Sequence, residues 1–172
     1  FDYRTMYQNT GCRAQHPMYP ISKILWFKEN QPELYRKTHK FITIKEYVLW
    51  KLFGEYVVDI TDASTTGCFN IHSFQWDGYI SRRVLELDIA KFGQPVSCTH
   101  ILKGMKPEYA AAMGVDPQLP VIVGSGDGML ANLACGVLDN TSMSCTVGTS
   151  GALRVTSSKP LLDEEQRTWC YC

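Results

Sequence analysis

Val121-Ile122-Val123-Gly124-Ser125-Gly126-Asp127-Gly128 is the stretch whose reading decides the fold. Three β-branched apolar residues make a buried-type strand, the glycines let the backbone turn tightly, and one carboxylate stands before an apolar, small-residue helix running from Met129 to Val137. Strand, glycine turn and helix form the repeating unit of α/β proteins, and this one places Asp127 at the C-terminal edge of a strand. A carboxylate at a helix N-terminus is favoured by the helix dipole and is placed to accept a proton from a substrate hydroxyl. An aspartate that merely caps the helix satisfies the same spacing, and capping aspartates outnumber catalytic ones.

Working outward, two further strands flank Thr146-Val-Gly-Thr149-Ser-Gly151, a hydroxyl- and glycine-rich turn. Its backbone N–H groups can form an anion-binding nest, although the turn does not follow the Walker phosphate pattern and also reads as a plain β-hairpin. Upstream the chain is mostly helical. Residues 1–19 read as loop with a short helical piece at the start; a helix opens at Pro20 and ends near Asn30, and another runs from Glu33 to His39. Thr43 with Glu46 three residues on is a capping box for a helix whose apolar face is Ile44, Tyr47, Val48 and Leu52 and which Gly54 stops. Tyr56 to Ile60 alternates as a strand, and Asp59 to Thr66 supplies side-chain oxygens that either cap a helix or line a polar cleft. Asp77 precedes a helix expected over Gly78 to Phe92, Val96 to Leu102 is extended, and Pro107 opens a helix ending at Gly114. The change from helical to β-rich character near residues 115–120 divides the chain into 1–117 and 118–172.

Composition bounds the function. The 172 residues are 45% hydrophobic and 20% charged, with 17 basic against 17 acidic side chains. That balance gives no net field for nucleic acid or anionic lipid, and a small neutral or anionic ligand fits better. No apolar run reaches the roughly 18 residues of a membrane span, so a cytoplasmic protein is expected. The seven cysteines show no paired C-x-x-C units and read as reduced, mostly buried thiols. The four histidines suggest no zinc site, and the four tryptophans read as core. The chain opens on Phe1 and stops on the strand-like Thr168-Trp-Cys-Tyr-Cys172, so an internal fragment is expected.

Taken together, these segments resemble the FGGY carbohydrate kinases. Met18 to Asn30 looks like the first family signature, with Pro20, Lys23, Trp26 and Asn30 in register. Asp59 to Asn70 is similar to the D-x-x-x-A-S-x-T stretch, Gly124 to Gly136 to the G-x-G-D catalytic turn and its helix, and Thr146 to Gly151 to the second phosphate motif. Gly11 to Met18, Thr99 to Gly104, Val137 to Asp139 and Cys145 to Arg154 look most like gluconate kinases within the family.

The resemblance implies an α/β, ribonuclease H-like (actin- and hexokinase-like) kinase of two domains, of which only the middle part is present. Residues 1–117 would belong to the first, sugar-binding domain and 118–172 to the second, ATP-binding one. ATP and Mg²⁺ are the implied cofactors and a sugar or sugar acid the implied substrate, with D-gluconate first and xylulose, glycerol or a related polyol as alternatives. Asp127 would be the general base, His16 and Met18 would line the sugar pocket together with Asp127, and Gly148 and Thr149 would approach the ATP phosphates; no metal ligand is assigned. Asp62 and Ser64 would lie near the cleft or serve structure alone. The resemblance leaves room for a homodimer. A non-catalytic module that keeps the kinase scaffold is the rival from another class. The family's N-terminal Asp-x-Gly-Thr motif and adenosine segment are absent from these residues, so the fragment by itself is expected to be inactive.

Overall fold

The computed structural model describes residues 1–172. α1 (Tyr3–Thr10) is a full helix where loop with a short helical piece was expected. Asp2 caps it, accepting from the Thr5 N–H at 3.1 Å and the Thr5 hydroxyl at 2.6 Å. Tertiary burial of Met6, Tyr7 and Thr10 then holds a segment whose overall polarity hides it in the sequence. α2 (Pro20–Asn30) and α3 (Pro32–Lys37) both carry proline in the first turn, where its missing N–H costs nothing. α3 stops before His39, and the Thr38 hydroxyl takes the Leu34 carbonyl at 2.7 Å.

α4 (Ile44–Phe53) has both bonds of the expected capping box: Glu46 N–H to the Thr43 hydroxyl oxygen at 3.3 Å, and Thr43 N–H to a Glu46 carboxylate oxygen at 2.7 Å. Its buried face differs from the expected one. Ile44, Tyr47 and Val48 are exposed, while Glu46 and Leu49 are buried. The capping box turns Glu46 inward, and Leu49 packs with Val57, Leu102 and Val123. The tryptophans divide in a similar way: Trp76 is core, but Trp26 and Trp169 are about half exposed.

β1 (Val57–Asp59) is fully buried and runs straight into α5 (Ile60–Ser64). A hairpin of β2 (Phe69–Asn70) and β3 (Gln75–Trp76) follows. The helix expected over Gly78 to Phe92 is instead a π-helical turn, Ile80–Leu85, and a 3₁₀ turn, Ile89–Lys91, separated by Glu86 in left-handed conformation. Neighbouring helices interrupt it: Lys28 Nζ takes the Val84 carbonyl at 2.9 Å and the Tyr35 hydroxyl takes the Leu85 carbonyl at 2.7 Å. β4 (Gln94–Val96) then returns parallel to β1, pairing Val57 with Gln94 and Asp59 with Val96. Tyr19, Ile21, Val58, Phe69, Ile80 and Leu85 centre the main core around this unit.

Asp77 pins that unit together from a buried position. One carboxylate oxygen accepts from the side-chain amides of Asn9 and Asn70, both at 2.9 Å, and the other accepts from the Ile80 N–H at 2.9 Å.

β5 (Ile101–Leu102), α6 (Pro107–Met113) and β6 (Val121–Ile122) complete the part that reaches the glycine turn. β5 and β6 pair antiparallel across residue 117, and the pairing continues as Val123 N–H to the His100 carbonyl and Gly124 N–H to the Cys98 carbonyl, each 3.0 Å. α7 (Asp127–Ala134) and the hairpin β7 (Ser144–Val147)–β8 (Gly151–Arg154) follow. Leu133, Leu138, Val147 and Leu153 there are largely exposed. The final segment returns to α1 and α5: Tyr7 OH donates to the Thr168 carbonyl, Cys170 N–H to the Gly11 carbonyl, and Cys172 N–H to the Ser64 hydroxyl. All seven cysteines are free thiols, and only Cys12 and Cys68 are buried, because Cys135 and Cys145 lie on elements that pack little against the rest.

Replacing Asp77 with Ala leaves the buried Ile80 N–H and the half-buried amides of Asn9 and Asn70 without their acceptor and should cost about 2–4 kcal/mol. A urea titration of the chain checks this, with a lowered midpoint at unchanged slope as the expected result.

Candidate active site

β1 ends in a buried carboxylate, and the site is built on it. Asp59 is fully buried and caps α5: one carboxylate oxygen accepts from the N–H groups of Thr61 and Asp62, both at 3.1 Å, and from the Thr61 hydroxyl. Its other oxygen forms an ion pair with Lys45 Nζ, which also contacts the Asp62 carboxylate at 2.9 Å. Burial drives the Asp59 pKa up, but the Lys45 ammonium and the donors from Thr61 and Asp62 outweigh it, leaving the group below the usual carboxylate range. Burial likewise pulls the Lys45 pKa down, and the two aspartates more than reverse it.

The glycine turn sits on this network. The Gly126 N–H donates to the Thr61 hydroxyl oxygen at 2.9 Å, and the Ser125 hydroxyl lies 2.9 Å from the same atom. Gly124 has φ +78°, a conformation that strains any residue with a Cβ. Gly126 is tight for a different reason: a Cβ there would lie 3.2 Å from the Asp62 carboxylate and 3.3 Å from Met129 Sδ, and both side chains would have to give way. Asp127 is therefore not the cap of α7. Gly126 occupies that position, and Asp127 is the first helical residue, exposed, with one carboxylate oxygen accepting from the Gly128 N–H at 2.7 Å. The other oxygen has no bond within the chain.

The remaining sequence candidates fall around this turn. In the β7–β8 turn the Gly148 N–H is committed to the Ser150 carbonyl at 3.0 Å, whereas the N–H groups of exposed Thr149 and of Ser150 have no partner in the chain. His16 and Met18 stand in the loop before α2, both exposed. The Met18 N–H donates to His16 Nδ1 at 3.2 Å, which assigns the imidazole proton to Nε2 and leaves that edge as a donor. Lys23 Nζ holds this loop through the carbonyls of Pro17 at 2.8 Å and Met18 at 3.1 Å. No hydrogen bond joins His16 or Met18 to Asp127; what relates them is α5. Its first turn grips the glycine turn, and just beyond its last turn the Thr66 carbonyl accepts the Ile21 N–H of α2 at 3.0 Å. Ser64 is buried and structural in its bonds, donating to the Thr61 carbonyl and accepting from Cys172 N–H.

Two residues here gave no sequence signal of a site. Lys45 is a surface-type residue on α4 whose partners lie 14 and 17 positions away, so only the tertiary structure reveals the pairing. Arg154 reaches from β8 to donate to the Thr146 hydroxyl at 2.9 Å, and its guanidinium lies against Gly128, where a Cβ would be 3.3 Å from Nε. It has no carboxylate within ion-pair distance and brings an uncompensated positive charge to the start of α7.

A parallel strand thus feeds a buried aspartate and a helix, and beside them stands a glycine turn bearing an exposed carboxylate. The model for the N-terminal domain of the FGGY family of carbohydrate kinases matches residues 2–134, and the chain belongs to that family. It is 39% identical over 166 residues to the gluconokinase of Bacillus subtilis, an alignment covering 96% of this chain and 32% of that protein. Among solved structures, a gluconate kinase and a ligand-bound xylulose kinase, both from Lactobacillus acidophilus, each superpose with a TM-score of 0.94 at 32% identity over 99% of this chain and 34% of theirs. The chain thus spans about a third of the length of these relatives. No helix in it is long and apolar enough to cross a membrane.

Beside the network, Glu46 is buried with its pKa pushed up from 4.5 to about 7 by burial, against the opposing pull of the Thr43 N–H. The folded chain keeps this proton longer than the unfolded one, so stability falls as pH rises from about 4.5 to about 7 and is level above, by an amount on the order of 3 kcal/mol. Asp59 has the opposite sign: its stabilisation is present above the ordinary 3.8 and is lost as acid protonates the folded carboxylate. Denaturant titrations of Glu46→Gln should lose the fall between pH 4.5 and 7 while keeping the acid limb. An unchanged slope in that window would show that Glu46 is not its source.

Proposed function

We propose that this chain forms part of an ATP-dependent kinase that phosphorylates a sugar acid, D-gluconate to 6-phosphogluconate, with Asp127 as general base. The observation that carries the reading is the exposed Asp127 carboxylate, one oxygen fixed by the Gly128 N–H and the other open, on a turn anchored to α5. The open oxygen would take the proton of the substrate's terminal hydroxyl as that hydroxyl oxygen bonds to the γ-phosphorus of ATP, and ADP would leave with the electrons of the broken P–O bond. Thr149, through its free N–H, would meet the phosphates, and Gly148 would give the turn its shape. His16 Nε2–H would donate to a substrate oxygen, with Met18 beside it in the loop that Lys23 holds.

No three carboxylate, histidine or cysteine side chains cluster as a metal site in the chain. Mg²⁺ commonly takes one or two carboxylates and completes its shell with substrate phosphates and water; no residue of this chain is assigned to it, since the open oxygen of Asp127 is the one proposed as base. The metal would supply charge neutralisation on the phosphates as the bond breaks.

Similarity to a gluconokinase supports the sugar acid, and the equal superposition on a xylulose kinase keeps xylulose or another polyol as the second reading. In the full-length protein, a coupled ADP-release assay over gluconate, xylulose and glycerol separates the two, with gluconate expected to give the highest kcat/KM. Asp127→Asn should lower kcat by about 10²–10⁴-fold. Turnover within twofold of the unaltered protein would remove Asp127 from the chemistry.

A further inference from the structure

Thr61 was only one hydroxyl in a polar run at the level of sequence, yet in the structure its side-chain oxygen joins the glycine turn to the buried charge network through two hydrogen bonds. A threonine hydroxyl has one proton to give and two lone pairs to receive with. The proton goes to the Asp59 carboxylate, which can only accept. Ser125 must therefore be the donor in its 2.9 Å contact with Thr61, and the Gly126 N–H fills the remaining lone pair. The atom is saturated, and its three partners fix its position. Asp59 cannot move because Lys45 and two backbone N–H groups of α5 hold it, and Thr61 itself is 7% exposed, so water cannot replace a lost partner cheaply.

We propose that Thr61 is the positioning residue for Asp127: it transmits the rigidity of the Lys45–Asp59 pair to Ser125 and Gly126, the two residues immediately before the base, and so sets where the Asp127 carboxylate stands. The inference rests on the reading of Asp127 as the base. Asp62 crowds the turn from the other side, since a Cβ added at Gly126 would lie 3.2 Å from its carboxylate. The turn thus donates a hydrogen bond to one residue of α5 and has little room to grow toward the next, and neither residue has to touch substrate.

The test uses the full-length protein with gluconate and ATP. Thr61→Val removes the oxygen and keeps the shape; kcat should fall about 10- to 100-fold, the scale on which a small misplacement of a catalytic group acts, while KM for ATP stays within about twofold. Thr61→Ser should restore kcat to within about threefold, because it returns the hydroxyl. In the Thr61→Val/Asp127→Asn double variant the rate should be no lower than in Asp127→Asn alone, since a residue that acts through Asp127 has nothing left to position. Amide exchange read by mass spectrometry should show faster exchange at Gly126 in Thr61→Val. Unchanged kcat in Thr61→Val, or losses that multiply in the double variant, would overturn the proposal. Should Thr61→Val fail to fold, Ser125→Ala cuts one link and spares the Thr61–Asp59 bond; a fall in kcat that disappears in the Asp127→Asn background supports the proposal, and an unchanged kcat overturns it. Full activity of Asp127→Asn is a separate outcome that sinks the general-base reading itself.

Discussion

The ion pair between Lys45 and Asp59 is the constraint on which the rest of the site depends. A buried carboxylate without a partner would be neutral or would unfold its surroundings, because desolvating a charge costs several kcal/mol. With the ammonium beside it and three donors on its other oxygen, Asp59 stays charged at the C-terminal end of β1 and can do three things at once. It caps α5, it joins α4 to β1, and by taking the Thr61 proton it leaves that oxygen's lone pairs to the glycine turn. Such pairs add little net stability compared with an apolar core, but they fix direction, and direction is what the base proposed at Asp127 would need.

The first core and the polar network divide the labour. Val58, Phe69, Ile80, Leu85 and their neighbours give the unit its bulk, with Asp77 joining α1, the hairpin and the π-helical turn. The small second cluster, Leu49, Val57, Leu102 and Val123, brings β6 up to β1, so that the strand preceding the glycine turn arrives beside α5. Beyond residue 127 the character changes: α7 buries none of its residues, and the β7–β8 hairpin presents Val147 and Leu153 outward. The proposed base therefore sits at the edge between a packed body and elements that pack little within it. Asp127 belongs to that edge, anchored on one side and open on the other.

Helix boundaries were the most legible part of the sequence, because their signals are local. Prolines opened α2, α3 and α6, the Thr43–Glu46 box opened α4, and glycines closed α4 and α6. Where local signals competed with tertiary bonds, the tertiary bonds won. The helix expected from Gly78 broke because Lys28 and Tyr35 took its carbonyls, and α4 turned Leu49 and Glu46 inward in place of its more apolar face. α1 was obscured for the opposite reason, a polar composition rescued by burial of Met6 and Tyr7 and by the Asp2 cap.

By itself, the sequence determined that a strand would feed a glycine turn, that Asp127 would stand between that turn and a helix, and that family motifs would recur in order, since these depend on residue types within a few positions. Only the tertiary structure decided that Gly126, not Asp127, caps α7, that the turn is moored on Thr61, and that Lys45 holds the mooring. Those facts depend on contacts between residues 14 to 65 positions apart. No local pattern encodes such contacts: each of these residues is ordinary for its own segment, and the physics that distinguishes it, burial of a charge beside its counter-charge, exists only once the chain has folded.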